Sequence, residues 1–384
     1  MKSRKNIDKK DKNNKKKYSL TRKNREIKIP TTTPQDIRKI SNNIASQIIH
    51  KSYSPSINNE LVTLVSLPRN ELSDCNTENA FNLKVPLKIG NPKTKKCYNY
   101  YTKEAKNILL KNLAANKHID PKKIIPPIQI QSNCWFNAFF VTFFVSDKGR
   151  KFFHFFRQLM IEGKQKDGSS IPKKLRDAFA LLNFGIESCL MGNKFAYQLN
   201  TNKILLSIFN GITNLYKEKN PYIVNIDKAG NPIYYYISLI NYLNNNNIQI
   251  LIIQGADNFW ENKMNEILEN VKDIPHIILL EVYEEKAIEF TKKPNFIQLE
   301  NAKYDLDSAV IRDTTGQHFC ANLTCDKNDY GYDGMSFHRL VPLKWKNKIN
   351  KNITWEFEGT KDYDGTPLKW NFMKCYQLLL YYRV

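Results

Sequence analysis

Residues Cys134 to Val145 read Cys-Trp-Phe-Asn-Ala-Phe-Phe-Val-Thr-Phe-Phe-Val, with Asn137 and Thr142 the polar members. A helix through this stretch is apolar on nearly every face, so it has to run through the centre of a folded domain. The run is too short to cross a bilayer, which takes about 20 apolar residues. Pro126-Pro127 excludes a helix just upstream, so residues 121–133 read as a loop and short extended stretch, and the central helix starts abruptly at Asn133-Cys134. The chain can supply the burial this helix needs. It has 384 residues, 41% of them apolar and 12% aromatic, enough for a large core without disulfide or metal staples.

The pattern around the run changes character along the chain. Pro34 at a first turn, with Ile37, Ile40, Ile44 and Ile48 on one face, predicts a helix over residues 33–48. Residues 60–100 break short apolar runs with Pro, Asn and Gly, which suits strands and loops, and a helix follows over 104–117. Ser146-Asp147 caps a helix carrying Phe152, Phe153, Phe155, Phe156 and Leu159, and residues 172–218 are helical in pattern. Then come short β-like runs at Ile248–Ile253 and His276–Val282, flanking a helical segment, followed by Ala309–Arg312, His318–Cys325 and Phe337–Val341. Helices first and an antiparallel sheet second define an α+β class, read here as one domain over residues 31–384.

The formal charge is +22, and it is unevenly held. Residues 1–28 carry 13 Lys/Arg against Asp8, Asp11 and Glu26, a net of +10 that leaves +12 on the other 356 residues. Lys and Asn crowd the whole sequence, as at residues 244–247, and both have A/T-rich codons, so part of the charge reflects codon composition. Residues 1–30 read as a disordered basic arm, either a solvated tail or, through Lys15-Lys16-Lys17 and Arg22-Lys23-Asn24-Arg25, a tether or nuclear address. Nucleic acid is expected as a partner only through this arm, and a membrane not at all. No apolar segment follows the N-terminal charges as a secretory signal would require. The seven cysteines are scattered without a CxxC pair, which argues against a disulfide framework or a four-cysteine zinc site. Reduced thiols, an intracellular setting and no metal or cofactor are expected.

Cys134 is the residue with chemical potential. A cysteine in the first turn of a buried helix has its sulfur beside unpaired N–H groups and the positive end of the helix dipole, which favour a thiolate. The same N–H groups can bind an oxyanion. The competing reading is a small core residue. A thiol nucleophile needs a base, and His318 heads a strand after the turn Thr314-Thr-Gly-Gln. His50 and His118 read as surface residues, His154 as a packing residue, and His276 as the start of a strand. Fifteen residues beyond His318, Asp333 can fix the imidazole tautomer from a neighbouring strand, with Asn322 as an alternative orienter. Strand alternation puts Cys320 and Cys325 on opposite faces, against a metal site there.

The segment Asn133-Cys134-Trp135-Phe136-Asn137-Ala138 resembles the cysteine box of ubiquitin-specific proteases, and Gly316-Gln317-His318-Phe319 with Tyr332-Asp333 is similar to their histidine box. The resemblance covers roughly 35 residues. It implies a papain-like thiol peptidase with Cys134 as nucleophile, His318 as base and Asp333 as orienter. Gln129, five residues before the cysteine, is then the side chain completing the oxyanion hole, with Gln131 and Asn133 as rivals. Trp135 and Phe319 would line a narrow substrate slot. The implied partner is ubiquitin, a ubiquitin-like protein or another protein substrate. The chain departs from the family in having Gln-Ser-Asn before the cysteine, Gly-Gln-His at the histidine, and no paired cysteines for a zinc-binding fingers region. The Lys/Asn-rich composition and Asp147-Lys-Gly-Arg150 resemble divergent copies in large DNA viruses, which would place the chain in host cytoplasm or virion. Two further readings stay open: a viral precursor-processing protease, and a non-catalytic basic virion or nucleic-acid-associated protein with a decayed peptidase fold. The order His318, Asp333, Cys375 also resembles SUMO-type proteases.

Overall fold

A computed structural model describes residues 75–384, apart from residues 92, 115–118, 166, 198, 244–248, 271–273 and 291. The basic arm, the helix expected over 33–48, His50 and His118 lie outside the described residues.

Among the described residues, eleven α-helices and ten strands follow in order. A short α1 (Glu78–Phe81) precedes the hairpin β1 (Lys88–Gly90) and β2 (Cys97–Asn99), and α2 (Lys103–Ala114) packs beneath it. Next come α3 (Cys134–Phe144), α4 (Asp147–Phe152), α5 (His154–Glu162), α6 (Lys173–Met191), α7 (Thr201–Gly211), α8 (Asn214–Lys219) and α9 (Pro232–Tyr242). The second part holds β3 (Ile250–Gln254), α10 (Trp260–Leu268), β4 (Ile277–Val282), α11 (Glu284–Ala287) and β5 (Phe296–Leu299). It ends with β6 (Ala302–Arg312), β7 (Phe319–Cys325), β8 (Asn328–Tyr332), β9 (Leu340–Pro342) and β10 (Gln377–Arg383). The α+β class follows from this order of elements.

The main sheet runs β3-β4-β10-β6-β7-β8-β9, with β5 paired to the first half of β6. Its pairs are antiparallel except β3 and β4, which are parallel. That corrects the expectation of a purely antiparallel sheet. The cause is α10, which lies between the two apolar runs and returns the chain to the same end, as a parallel connection requires.

Every residue of α3 is buried. One side packs on β7 and β6, and the other meets an aromatic layer. Phe143 stacks on Phe153 at 3.9 Å between centroids and meets Tyr236 edge-on at 4.8 Å, while Phe136 stacks on Tyr236 at 6.1 Å. Tyr234-Tyr235-Tyr236 of α9 are therefore packing residues. The Ser146 hydroxyl accepts the Gly149 N–H at 3.0 Å and caps α4 as read, although the phenylalanine-rich helix divides into α4 and α5 at Phe153.

Two cysteines are joined, against the expectation of seven reduced thiols. Cys75 and Cys97 form a disulfide. The Asn76 side chain clamps Lys88 in both directions, accepting its N–H and donating to its carbonyl at 2.8 Å each, which holds the chain entering at Cys75 against the β1–β2 hairpin. The remaining described cysteines, Cys134, Cys189, Cys320, Cys325 and Cys375, form no disulfide and are buried. Cys320 lies in the core with Cys375, and Cys325 faces the Arg150 guanidinium at 3.7 Å.

Candidate active site

Three segments distant in sequence meet at the start of α3. The first is the loop ahead of the helix, which two sets of polar contacts hold. On one side the Tyr332 hydroxyl donates to the Pro127 carbonyl at 2.7 Å, and the Gln129 N–H donates to the Gly334 carbonyl at 2.9 Å. A Cβ at position 334 would sit 2.9 Å from that Gln129 nitrogen, so the approach requires glycine. On the other side the Asn137 amide donates to Ile128 O at 3.1 Å and the Asn202 amide to Ile130 O at 2.6 Å. Asn133 accepts the Ile130 N–H at 3.1 Å and donates to the Thr201 hydroxyl at 2.8 Å, which donates in turn to Asn137 Oδ1 at 2.7 Å. Buried loop backbone needs such partners, and here side chains supply them.

This bracing delivers Cys134 as the first residue of α3. Asn133 occupies the N-cap position but does not cap the helix, because its carbonyl oxygen is spent on the loop. The first helical bond runs from the Asn137 N–H to Asn133 O at 3.0 Å. The N–H groups of the preceding turn are the ones a helix cannot pair internally, and they lie beside the thiol.

The second and third segments are the two ends of one hairpin. A two-residue turn at Asp326-Lys327, both with positive φ (47° and 61°), joins β7 to β8. Asp147 accepts the N–H of both turn residues at 2.9 Å, which supports a conformation that neither residue favours by itself. The register pairs Cys325 with Asn328 and Ala321 with Tyr332. Continued two residues further, it makes His318 and Asp333 diagonal neighbours on one face. Their contact follows: His318 Nε2 lies 2.7 Å from Asp333 Oδ1. The Cys134 side chain lies close enough to the His318 imidazole to favour its charged form.

Both ends are fixed further. Asp333 is fully buried; its Oδ1 also accepts the Met335 N–H at 3.0 Å, and its Oδ2 accepts the Thr360 hydroxyl. Asp313, also buried, folds the turn that carries His318: it accepts the N–H of Thr315 at 2.7 Å, Gln317 at 2.7 Å and His318 at 2.6 Å. Its own N–H donates to His318 O at 2.8 Å. Burial would push the imidazole of His318 down, but the Asp333 carboxylate opposes this and, with the Cys134 sulfur, raises it to about 10. The imidazolium form is therefore favoured at neutral pH.

Several residues expected at the site stand elsewhere. The Asn133 amide is committed to Thr201, so it is a loop fastener and not a free oxyanion donor. Gln131 is exposed with φ of 61°, and it offers its backbone carbonyl to the Gln129 amide at 3.2 Å. Gln129 is half-buried, and its side-chain oxygen has no protein partner. Trp135 does not line an open slot. Its indole is 1% exposed, enclosed by Tyr235 at 5.2 Å and by the Gly230 backbone, because it points into the helical layer. Phe319 is nearly covered and meets Tyr376 edge-on at 6.1 Å. Cys375 is a core thiol that burial pushes up to about 11, and the Asn322 side chain makes no hydrogen bond to His318. Thr201, Asn202, Asp313 and Thr360 carry no local motif that would single them out.

A thiol, an imidazole and a carboxylate in this order, at an uncapped helix N-terminus, are equipped for nucleophilic acyl transfer. No protein-family model and no curated protein sequence matches the chain. Among solved structures, the chain is similar to the SAGA DUB module of Ubp8, Sgf11, Sus1 and Sgf73 bound to monoubiquitin, with a TM-score of 0.40 and 9% identity over 91% of this chain and 95% of that one. It is also similar to that module bound to ubiquitin aldehyde (TM-score 0.39, 9% identity, 91% and 94% covered) and to the Ubp8-Sgf11-Sgf73-Sus1 module (TM-score 0.38, 12% identity, 91% and 95% covered).

Proposed function

We propose that the chain is a papain-like cysteine peptidase that hydrolyses a peptide or isopeptide bond next to ubiquitin or a ubiquitin-like modifier. The observation that carries the reading is the buried His318–Asp333 pair, 2.7 Å apart, brought beside Cys134 at the start of the buried helix α3. Cys134 Sγ attacks the carbonyl carbon, and the first-turn N–H groups of α3 hold the oxygen as it gains charge. The His318 imidazolium gives its proton to the leaving amine, and the neutral ring then takes one from the water that releases the acyl group. Asp333 keeps Nε2 protonated and the ring turned to the thiol. The modifier as substrate rests on the likeness of the cysteine and histidine boxes to ubiquitin-specific proteases. An intracellular setting accompanies this reading.

A ubiquitin bearing a C-terminal electrophile is expected to add one modifier mass at Cys134, with no adduct on Cys134→Ala by intact mass spectrometry. Hydrolysis of peptides without any adduct would move the substrate class to unmodified proteins. Failure of both would end the peptidase reading. A second pair of variants separates the oxyanion candidates. Gln129→Ala is expected to leave urea stability within about 0.5 kcal/mol and to lower turnover about 10²-fold or more. Asn133→Ala is expected to cost about 1–3 kcal/mol of stability, because it strands the Thr201 and Ile130 groups.

A further inference from the structure

Dividing the charge by structural layer gives a result that codon composition does not explain. Residues 84–249, which hold the β1–β2 hairpin and the helices through α9, carry 25 Lys/Arg against nine acids, a net of +16. Residues 250–384, which hold the main sheet, carry 17 against 20, a net of −3. One gene's codon usage acts on both parts alike, so the surplus is not a uniform background, as the whole-chain figure suggests.

The surplus is densest over residues 84–111, with eight lysines and Glu104 as the one acid. Lys84, Lys88, Lys93, Lys95, Lys96 and Lys103 are all exposed. Among the described residues, no lysine of this stretch makes an ion pair. In the sheet part, by contrast, Lys263 pairs with Asp257 at 3.4 Å, Lys303 with Asp305 at 3.3 Å and Lys346 with Asp329 at 3.7 Å. The hairpin is also held in shape. Asn91 Oδ1 accepts the N–H of Lys93 at 2.9 Å and of Thr94 at 3.2 Å, the Lys95 N–H returns to Asn91 O at 2.9 Å, and the disulfide fastens Cys97. On the adjoining face, burial and the nearby cations Lys164 and Arg176 lower the pKa of Lys106 on α2 against the opposing pull of Glu162.

We propose that the β1–β2 hairpin and the adjoining face of α2 form a surface that binds the phosphate backbone of nucleic acid, independently of the N-terminal arm. Unpaired lysines on a rigid hairpin are point charges with no internal partner to give up, and phosphates gain most from them through counterion release. An anionic membrane fits less well. Val85 is the sole large hydrophobic residue strongly exposed between residues 75 and 111, and membrane-surface binding wants an apolar face to bury. The surface does not depend on the peptidase reading.

The test is fluorescence anisotropy with a labelled random-sequence DNA duplex across a salt series. The proteins are the full chain, a form lacking residues 1–28, and Lys93→Glu/Lys95→Glu/Lys96→Glu in both backgrounds, with a Lys→Gln triple as the milder variant. The form lacking residues 1–28 is expected to bind still, with a log K against log salt slope of about −4 to −5 for five phosphate contacts. The Glu triple should weaken binding at least about 30-fold at physiological salt and flatten the slope by about three. The Gln triple should flatten it similarly, and unchanged melting temperatures show that the fold is kept. Binding that vanishes with residues 1–28, or that ignores both triples, overturns the proposal. So does binding to anionic vesicles without binding to DNA.

Discussion

Replacing His318 with alanine is expected to lower turnover on the order of 10⁴-fold or more without unfolding the chain. The imidazole is the charged neighbour of the Cys134 sulfur and, in the proposed mechanism, protonates the leaving amine. Its loss also leaves the thiol without a cationic neighbour, so alkylation of Cys134 by iodoacetamide at neutral pH should slow in step with turnover. The fold survives because Asp333 keeps the Met335 N–H and the Thr360 hydroxyl after the imidazole is gone. Unchanged alkylation together with unchanged turnover would remove His318 from the chemistry.

Asp333→Asn is expected to produce a loss of similar size with a different signature. The carboxylate outweighs burial and raises the imidazole to about 10. An asparagine leaves only the Cys134 sulfur opposing burial, so the ring should carry much less charge at pH 7, and an amide nitrogen aimed at Nε2 would select the wrong tautomer; the comparable change in a serine triad costs about 10⁴-fold. Stability should show the same group. A histidine raised from 6.5 to about 10 on folding contributes its stabilisation in full below pH 6.5 and loses it as pH rises through 10. The gap in urea stability between the native chain and Asp333→Asn should therefore be widest near pH 6 and shrink toward pH 10. A gap that is flat across this range would show that the pair is not charged.

The parts of this arrangement that were readable in the sequence are those set by local rules. Cys134 stands where a proline-rich loop gives way to an all-apolar helix. The separation of His318 from Asp333 is a property of one hairpin, in which a two-residue turn fixes the rungs. What was not readable depends on distant partners. Asp313 looks like any acid before a glycine turn until its three N–H partners are counted. Thr360 reaches Asp333 from 27 residues downstream. Asn133 stands beside the cysteine as a rival oxyanion donor to Gln129, but Thr201 claims it from another helix. Trp135 follows the cysteine in sequence yet turns inward, because each step along a helix rotates the side chain by about 100°. The Cys75–Cys97 bond spans 22 residues, and no short motif announces it.

The position of β10 bears on how the molecule comes into being. The strand lies between β4 and β6, in register with both. On a ribosome the chain therefore completes Cys134 and its helix early, and makes His318 and Asp333 much later. The sheet that carries them cannot close until residue 383 has emerged. During all that time the thiol exists without an assembled partner set, since domains fold as units and long-range pairing comes last. The last strand to be made is thus the one that completes the sheet on which His318 and Asp333 stand.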